Sequence, residues 1–241
     1  MKNLGKLAVL GAVLAASSSL AFADSVSVNS GTTPVTYVGA ELFTADNVGC
    51  GVNPYCMPAA YTGNTSTAGT PAVNLASGYW DAAIPGSSWV GINATAGPVG
   101  TVNPEYGYYD FTSTFTAAGG APYSGTLTVQ ADDTVEVLLD NVVLVNFGAL
   151  GTDAMCANNP PTCSNVDVLN LSGITLNAGM NTLTFIVEQA GSGPVNGTGD
   201  PSGFDFSGSL ANTPEPSSLM LLGTGLVGAA GAFFRRRRLA A

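Results

Sequence analysis

Between residues 24 and 212 the sequence contains no lysine, no arginine and no histidine. All six basic residues lie outside this stretch, at positions 2, 6 and 235–238. Of the 16 Asp and Glu residues only Glu215 lies outside it, which leaves 15 carboxylates without a basic side chain to pair with. Each of these carboxylates must therefore be solvated, hydrogen-bonded or bound to a metal ion.

This lack of basic residues excludes several classes of function. Nucleic-acid binding and adhesion to anionic lipid headgroups both require Lys or Arg. A serine or cysteine nucleophile with a histidine or lysine base cannot be built from these residues. A carboxylate pair could still hydrolyse a glycoside, but no pair stands out among the acids. We therefore predict that the protein is not an enzyme and has no nucleic-acid partner.

The N-terminal segment has the pattern of an export signal. Two lysines precede an apolar run at residues 7–20, and Ala21 and Ala23 occupy the two positions that a signal peptidase reads. This pattern is typical of a secretory signal peptide, residues 1–23, with cleavage before Asp24. An uncleaved anchor helix is the alternative, and the short apolar core and the small residues at the cleavage site count against it.

The C-terminal segment, residues 213–241, combines a short motif with a membrane-length apolar run. Pro214, Glu215 and Pro216 are followed by an uncharged stretch at residues 217–234 and then by four arginines. As a helix that stretch would rise about 27 Å, close to the roughly 30 Å hydrocarbon core of a bilayer. Arginines favour the cytoplasmic side, so we expect the preceding chain outside. The arginines are Arg235, Arg236, Arg237 and Arg238.

Pro-Glu-Pro, a short span and an arginine cluster in this order resemble the PEP-CTERM sorting signal of exopolysaccharide-producing Gram-negative bacteria. The resemblance implies that a membrane-embedded exosortase cuts near Pro-Glu-Pro and delivers the protein to the cell surface or extracellular matrix. Signal peptidase and exosortase are then the partners during export, and the C-terminal helix anchors the chain only transiently. The alternative is a plain C-terminal membrane anchor. The resemblance covers only the tail and indicates a destination rather than an activity.

The four cysteines form two close pairs, Cys50 with Cys56 and Cys156 with Cys163. Four cysteines allow three pairings, and in an exported protein two sequence-local disulfides are the natural interpretation. Each would clasp a turn-rich loop and contribute roughly 2–3 kcal/mol by loop closure. Zinc binding competes poorly because histidine is absent and the cysteine spacings are not the two-residue kind.

Apolar residues alternate with polar ones along much of residues 78–212, which is typical of β-strands. Asp140-Asn141 between two apolar runs suits a two-residue hairpin turn. Since no stretch has helical periodicity beyond a turn or two, we predict an all-β antiparallel sandwich, a jelly roll. It follows a leading segment at residues 24–77 that is irregular or contains short strands, with residues 35–38 and 41–44 as the candidates. The clearest strand candidates are residues 108–116, 125–131, 135–139, 142–145, 166–171, 173–176, 182–188 and 204–210.

The succession of strands also resembles galactose-binding-like jelly rolls and related carbohydrate modules. The resemblance rests on Asp132 and Asp133 at the end of an apolar strand, a hairpin after them, and the later pattern GMNTLTF at residues 179–185. Some modules of this kind hold a calcium ion with an Asp-Asp pair at such a turn. The resemblance spans about residues 78–210 and implies the fold of a carbohydrate-binding module there.

Asp132 and Asp133 are the candidate metal ligands. Adjacent carboxylates repel each other unless a cation lies between them, and calcium prefers oxygen ligands of the kinds this chain offers. The alternative is a solvated turn, where Asp is common because its side chain bonds to nearby backbone. Asn196, Asp200 and Asp205, in the later loop at residues 195–205, are the next candidates for the same ion.

Tyr79, Trp80 and Tyr108 are the candidate ligand-binding residues. Aromatic faces pair with the apolar faces of sugar rings, and this stacking needs no cation. The alternative is that the aromatic residues pack in the core, as we expect for Trp89 in its strand-like stretch.

These observations lead to two hypotheses of different class. The first is a non-enzymatic structural or adhesive protein of the exopolysaccharide layer, at the cell surface or in a biofilm matrix. The second is a calcium-assisted carbohydrate-binding module that recognises a defined glycan. A glycosidase is a distant third.

Overall fold

A computed structural model describes residues 24–40, 61, 63, 69–75, 80–95, 107–148, 167–189 and 202–212, with residues 223, 225, 227, 228, 230 and 231. The chain divides into two compact units. One is Ser25–Ala211, and the other comprises Met1–Asp24 and Asn212–Ala241.

The described strands form two six-stranded antiparallel sheets. The strands are β1 (Ser25–Asn29), β2 (Val35–Ala40), β3 (Thr70–Pro71), β4 (Val73–Asn74), β5 (Val90–Gly91), β6 (Gly107–Ala117), β7 (Tyr123–Asp132), β8 (Thr134–Leu139), β9 (Val142–Val145), β10 (Asp167–Ile174), β11 (Gly179–Gln189) and β12 (Gly203–Asn212).

Strand order mixes segments that are far apart in the sequence. Sheet A runs β10-β7-β12-β5-β4, with β1 also paired to β12, and sheet B runs β3-β2-β6-β11-β8-β9. In sheet B the long strand β11 pairs with β6 on one side and with β8 on the other. The predicted fold class, an all-β antiparallel sandwich, is confirmed.

An aromatic cluster between the sheets forms the centre of the core. Phe111 and Phe185 come from sheet B, Phe204 and Phe206 come from sheet A, and all four are buried. The ring centroids of Phe185 and Phe206 are 4.4 Å apart, and those of Phe111 and Phe204 are 4.6 Å apart. Since burying one such side chain contributes about 1.5–3 kcal/mol, this cluster is a main link between the sheets.

The β8–β9 connection is the two-residue hairpin turn that the sequence predicted. Asp140 and Asn141 have φ values of 48° and 67°, as a type I′ turn requires. Asp140 also ties the turn to β11, because its Oδ1 accepts from the backbone nitrogen of Thr182 at 2.8 Å. Its own backbone nitrogen donates to the Thr182 carbonyl at 2.9 Å.

The two short strands predicted at residues 166–171 and 173–176 are a single strand, β10. Gly173 has a φ of 68°, and the pairing with β7 is irregular between Leu171 and Ile174. A glycine at positive φ accommodates a β-bulge without steric cost, so the strand continues through residues 172 and 173.

The leading segment at residues 24–77 contributes strands to both sheets. In sheet A, β1 pairs with β12 and buries Val26 and Val28. In sheet B, β2 pairs with β6 through a register that begins at Val35 and Ser113. The strands β1 to β4 thus belong to the compact Ser25–Ala211 unit.

Of the helical residues described near the C-terminus, none belongs to a helix long and apolar enough to cross a membrane. Most of the predicted membrane segment at residues 217–234 lies outside the described residues. The predicted residues that also lie outside them are Ala21, Ala23, Cys50, Cys56, Tyr79, Cys156, Cys163, Asn196, Asp200, Pro214, Glu215, Pro216, Arg235, Arg236, Arg237 and Arg238.

Candidate functional site

The outer face of sheet A, the face turned away from the core, carries a buried carboxylate. Asp205 lies on β12 between the core residues Phe204 and Phe206, so alternation directs it to the outer face. Gln130 on β7 lies on the same face, and both Asp205 and Gln130 are completely buried. Since a carboxylate is costly to bury, its partners decide whether the fold tolerates it.

Both carboxylate oxygens of Asp205 accept hydrogen bonds from neutral donors. Oδ1 accepts from the Ser30 hydroxyl at 2.7 Å. Oδ2 accepts from the backbone nitrogen of Ile84 at 2.8 Å and from Nε2 of Gln130 at 3.1 Å. Gln130 Nε2 also donates to the Ala82 carbonyl at 3.2 Å. Asp205 and Gln130 therefore hold residues 82–84 against sheet A.

Ser30 adds a second connection to the same segment. Its Oγ lies 2.6 Å from the Ser88 carbonyl, 2.7 Å from Asp205 Oδ1 and 3.4 Å from the Phe206 carbonyl, so three acceptors compete for one hydroxyl proton. The same oxygen accepts from the backbone nitrogen of Phe206 at 3.2 Å. The contacts of Asp205, Gln130 and Ser30, here called the Asp205 network, hold the chain at residues 82, 84 and 88.

The segment that this network holds, residues 80–89, begins and ends with tryptophan. The rings of Trp80 and Trp89 lie 4.6 Å apart at 31°, and Trp89 Nε1 donates to the Asp81 carbonyl at 2.9 Å. Trp89 is buried, as predicted, whereas Trp80 is partly exposed. A Cβ on Gly203 would lie 2.5 Å from Leu75 Cδ1 and 3.1 Å from the Trp80 ring, so the glycine allows close packing beneath this tryptophan segment.

Aromatic rings also cover the outer face of sheet B. Tyr108 packs against Tyr61 and Phe147, with ring centroids 5.2 Å and 5.6 Å away, and these three rings are here called the tyrosine cluster. The Tyr61 hydroxyl donates to Asp110 Oδ2 at 2.7 Å. Tyr108 is only 5% exposed, so most of its ring is in contact with protein rather than available for stacking.

Two further carboxylates lie near this cluster. Glu188 pairs with Tyr108 on one side of β11 and with Thr134 on the other, and it is buried. Glu136 pairs with Ile186, and burial raises the pKa of its carboxyl above the ordinary value. The outer face of sheet B thus combines aromatic rings with acidic groups.

Asp132 is the last residue of β7, and Asp133 connects it to β8, where the chain passes from one sheet to the other. The peptide bond between them is cis, and both side chains are buried. The backbone nitrogen of Asp133 donates to the Glu188 carbonyl at 3.3 Å. Continuing the β8–β11 register places Gln189 opposite Asp133.

A calcium ion at this connection would need more ligands than the two aspartates. Calcium takes six to eight oxygens, and the part of the chain that the structure describes has no group of three or more Asp, Glu, His or Cys side chains able to hold a metal. Gln189 is completely buried, and neither end of its carboxamide has a hydrogen-bond partner among the described residues. The Asp pair and this carboxamide oxygen fit the oxygen chemistry of calcium, and backbone carbonyls and water would have to complete the shell.

Two of the three predicted ligand-binding residues, Trp80 and Tyr108, lie in the described part of the chain, and they lie apart. Trp80 belongs to the segment over sheet A, whereas Tyr108 lies on the outer face of sheet B. The sequence analysis named Asp205 as a secondary calcium candidate. In the structure both of its carboxylate oxygens accept hydrogen bonds, from Ser30, Ile84 and Gln130. The available signal was the pattern Phe-Asp-Phe, in which an acid interrupts a strand of the core.

The fold and these contacts define a two-sheet β-sandwich, and a protein-sorting motif follows it in the sequence. Residues 212–238 match the PEP-CTERM protein-sorting motif. This motif implies an exported protein that exosortase processes after transient membrane anchoring. No curated protein matches the chain by sequence.

Among solved structures, the neighbours include carbohydrate-binding β-sandwich domains. CBM35 from Paenibacillus barcinonensis is 10% identical with a TM-score of 0.27, and the match covers 76% of this chain and 97% of that domain. The GH26-CBM35 β-(1,4)-mannanase of Podospora anserina is 13% identical with a TM-score of 0.25, covering 76% of this chain and 29% of the mannanase. A β-glucosidase of Kluyveromyces marxianus in complex with glucose is 15% identical with a TM-score of 0.28, covering 47% of this chain but only 12% of the enzyme. At these scores the likenesses carry no argument about binding or catalysis.

Proposed function

We propose that this is a non-enzymatic protein of the cell surface or extracellular matrix, with a structural or adhesive role in the exopolysaccharide layer. The sorting motif at residues 212–238 carries the proposal, because it follows directly on a sandwich that has no basic side chain. The best-defined polar groups support a structural role. Asp205 holds the tryptophan segment, Asp140 holds a hairpin turn and Asp110 accepts from Tyr61.

The partly exposed ring of Trp80 is the group we expect to contact polysaccharide. Its neighbour Trp89 fixes it by stacking at 4.6 Å, and the Asp205 network holds the backbone on which it sits. A rigid aromatic ring loses little conformational entropy on binding, so a weak contact of this kind, repeated over many copies, suits adhesion.

Fractionation of the producing cells tests the proposal. We expect the processed protein in the surface or matrix fraction, from which enzymatic degradation of the polysaccharide releases it. Trp80→Ala should shift protein from the matrix fraction to the medium. Asp81 is exposed and adjacent in the sequence, and Asp81→Ala should leave the distribution unchanged. Recovery of the unprocessed chain in the inner membrane would contradict the proposal.

The second candidate is a calcium-assisted carbohydrate-binding module. The observation that favours it is the buried Asp132-Asp133 pair, in which Asp133 lies opposite Gln189. The Gln189 carboxamide lacks a hydrogen-bond partner among the described residues. If Asp132, Asp133 and Gln189 hold calcium, adding the ion should raise the melting temperature and support binding to one glycan in an array. Asp132→Asn should abolish the calcium response, and the exposed Asp81→Asn should leave it intact. A melting temperature that calcium does not change would rule out this candidate.

A further inference from the structure

The first residue after the predicted signal-peptide cleavage is hydrogen-bonded to the first residue of the sorting motif. The backbone nitrogen of Asp24 donates to Asn212 Oδ1 at 2.7 Å, and the backbone nitrogen of Asn212 donates to the Asp24 carbonyl at 2.9 Å. The β1–β12 register ends at Ser25 and Ala211, so Asp24 and Asn212 form the next rung. Asn212 is only 7% exposed.

Signal-peptide cleavage changes the chemistry of this rung. Hydrolysis of the Ala23–Asp24 bond consumes one water and leaves a carboxylate on Ala23 and an α-ammonium on Asp24. A neutral peptide N–H thereby becomes a charged group with three N–H donors. Hydrogen bonds from ionised donors are roughly twice as strong as those between neutral groups. The contact to Asn212 Oδ1 is therefore stronger after cleavage than before it.

The new ammonium is also exceptional in its surroundings. Residues 24–212 contain no lysine, arginine or histidine, so the α-ammonium of Asp24 is the only cationic group in this stretch. The field of 15 carboxylates favours a positive charge, and Asn212 supplies a fixed acceptor for it.

We propose that the α-ammonium of Asp24 is a structural group of the processed protein. It binds Asn212 Oδ1 and fastens the last rung of the β1–β12 ladder at the start of the sorting motif. Signal-peptide cleavage thus strengthens the pairing of the strand that leads into the tail. The proposal rests on cleavage before Asp24 and is independent of any glycan binding.

The missing lysines provide a clean test. Once residues 1–23 are removed, an amine-selective acetylating reagent can modify only the Asp24 nitrogen. The protein is purified from producing cells in mild detergent, with or without its tail, and its intact mass is checked for a start at Asp24. Acetylation rate and melting temperature before and after acetylation are then measured for the wild type, Asn212→Ala and Asn212→Asp. Asn170→Ala, an exposed position on β10, is the matched control.

Asn212→Ala should be acetylated about fivefold faster than the wild type, because its amine has lost a hydrogen-bond acceptor. Acetylation should lower the melting temperature of the wild type and of Asn170→Ala by about 2–4 °C, and should leave that of Asn212→Ala unchanged. Asn212→Asp keeps an acceptor and should react no faster than the wild type.

Equal acetylation rates in the wild type and Asn212→Ala would overturn the proposal. The same loss of melting temperature in both proteins on acetylation would do so as well. An intact mass that corresponds to an N-terminal residue other than Asp24 would also overturn the proposal, because the α-ammonium would then not lie beside Asn212.

Discussion

The outer faces of the two sheets both hold carboxylates, and they do so in different ways. Over sheet A, neutral hydrogen-bond donors converge on Asp205, and a segment of chain closes over it. On sheet B, aromatic rings pack around Tyr108, and a tyrosine hydroxyl donates to Asp110. In a domain without basic side chains, burial of an acid thus depends on backbone N–H, amide and hydroxyl donors, which hold the chain in place as they solvate the charge.

Removing the carboxylate over sheet A should reduce the free energy of unfolding more than the changes on sheet B. Asp205→Ala leaves the donors of Ser30, Ile84 and Gln130 without their shared acceptor, and we expect a loss of about 3 kcal/mol in the free energy of unfolding. Urea denaturation measures it, and tryptophan emission should shift as the tryptophan segment loosens. Asp81→Ala, whose side chain accepts only a local hydrogen bond, should change stability by less than about 0.5 kcal/mol. Equal effects of the two variants would contradict the Asp205 network.

The close packing beneath the tryptophan segment offers a second way to break the same face. Gly203→Ala places a methyl group 2.5 Å from Leu75 Cδ1, and overpacking of this kind should cost about 2 kcal/mol. Adding Leu75→Ala should recover part of the loss by removing the clashing group. Thermal denaturation of the two single variants and the double variant measures the coupling. Additive losses would show that Leu75 is not the obstacle.

The sheet B arrangement can be probed by removing a single oxygen atom. Tyr61→Phe keeps the ring against Tyr108 but deletes the donor to Asp110, and we expect a loss of about 1 kcal/mol. Tyr37→Phe is the matched control, because its hydroxyl makes only a 3.4 Å contact with the Ile92 carbonyl. Urea denaturation of both variants should separate them, and a Tyr61→Phe protein as stable as Tyr37→Phe would mean that Asp110 needs no phenol donor.

The smallest expected effect is the contribution of Glu136 to the pH dependence of the free energy of unfolding. Burial raises the pKa of this carboxyl, so the folded state binds its proton more tightly than the unfolded state. Stability should therefore fall as pH rises through the window just above 4.5, the ordinary value. Glu136→Gln should be more stable than the wild type at pH 7, by no more than about 0.5 kcal/mol, and the difference should shrink towards pH 4. A difference that grows on acidification would contradict this sign.

The strand faces were predictable because their cause is local. Period-two alternation in β6, β7, β11 and β12 identified residues such as Phe111, Val129, Phe185 and Phe206 as core, and the structure buries each of them. The positive φ at Asp140 and at its neighbour likewise follows from the residue types that a tight turn favours.

The site was less predictable because its partners are distant in the sequence. Ser30 and Asp205 are 175 residues apart, yet they share a hydrogen bond. No local pattern indicates that Trp80 lies in a segment over sheet A whereas Tyr108 lies on the outer face of sheet B. The sequence pattern of β1 and β2 is weak for the same reason. These short strands are stabilised by pairing with the distant strands β12 and β6 rather than by their own sequence.

The pairing of β1 with β12 also determines when folding can finish. The first strand of the unit pairs with the last, so the final contacts have the largest sequence separation that the domain allows. Contacts of this kind are slow to form because a long loop must close before they yield any stabilisation. In a chain exported N-terminus first, β1 waits without its partner until residues 207–211 have emerged. The sandwich can then close only once the chain up to the start of the motif at residue 212 is available, so the sorting motif is the next segment to emerge when folding finishes.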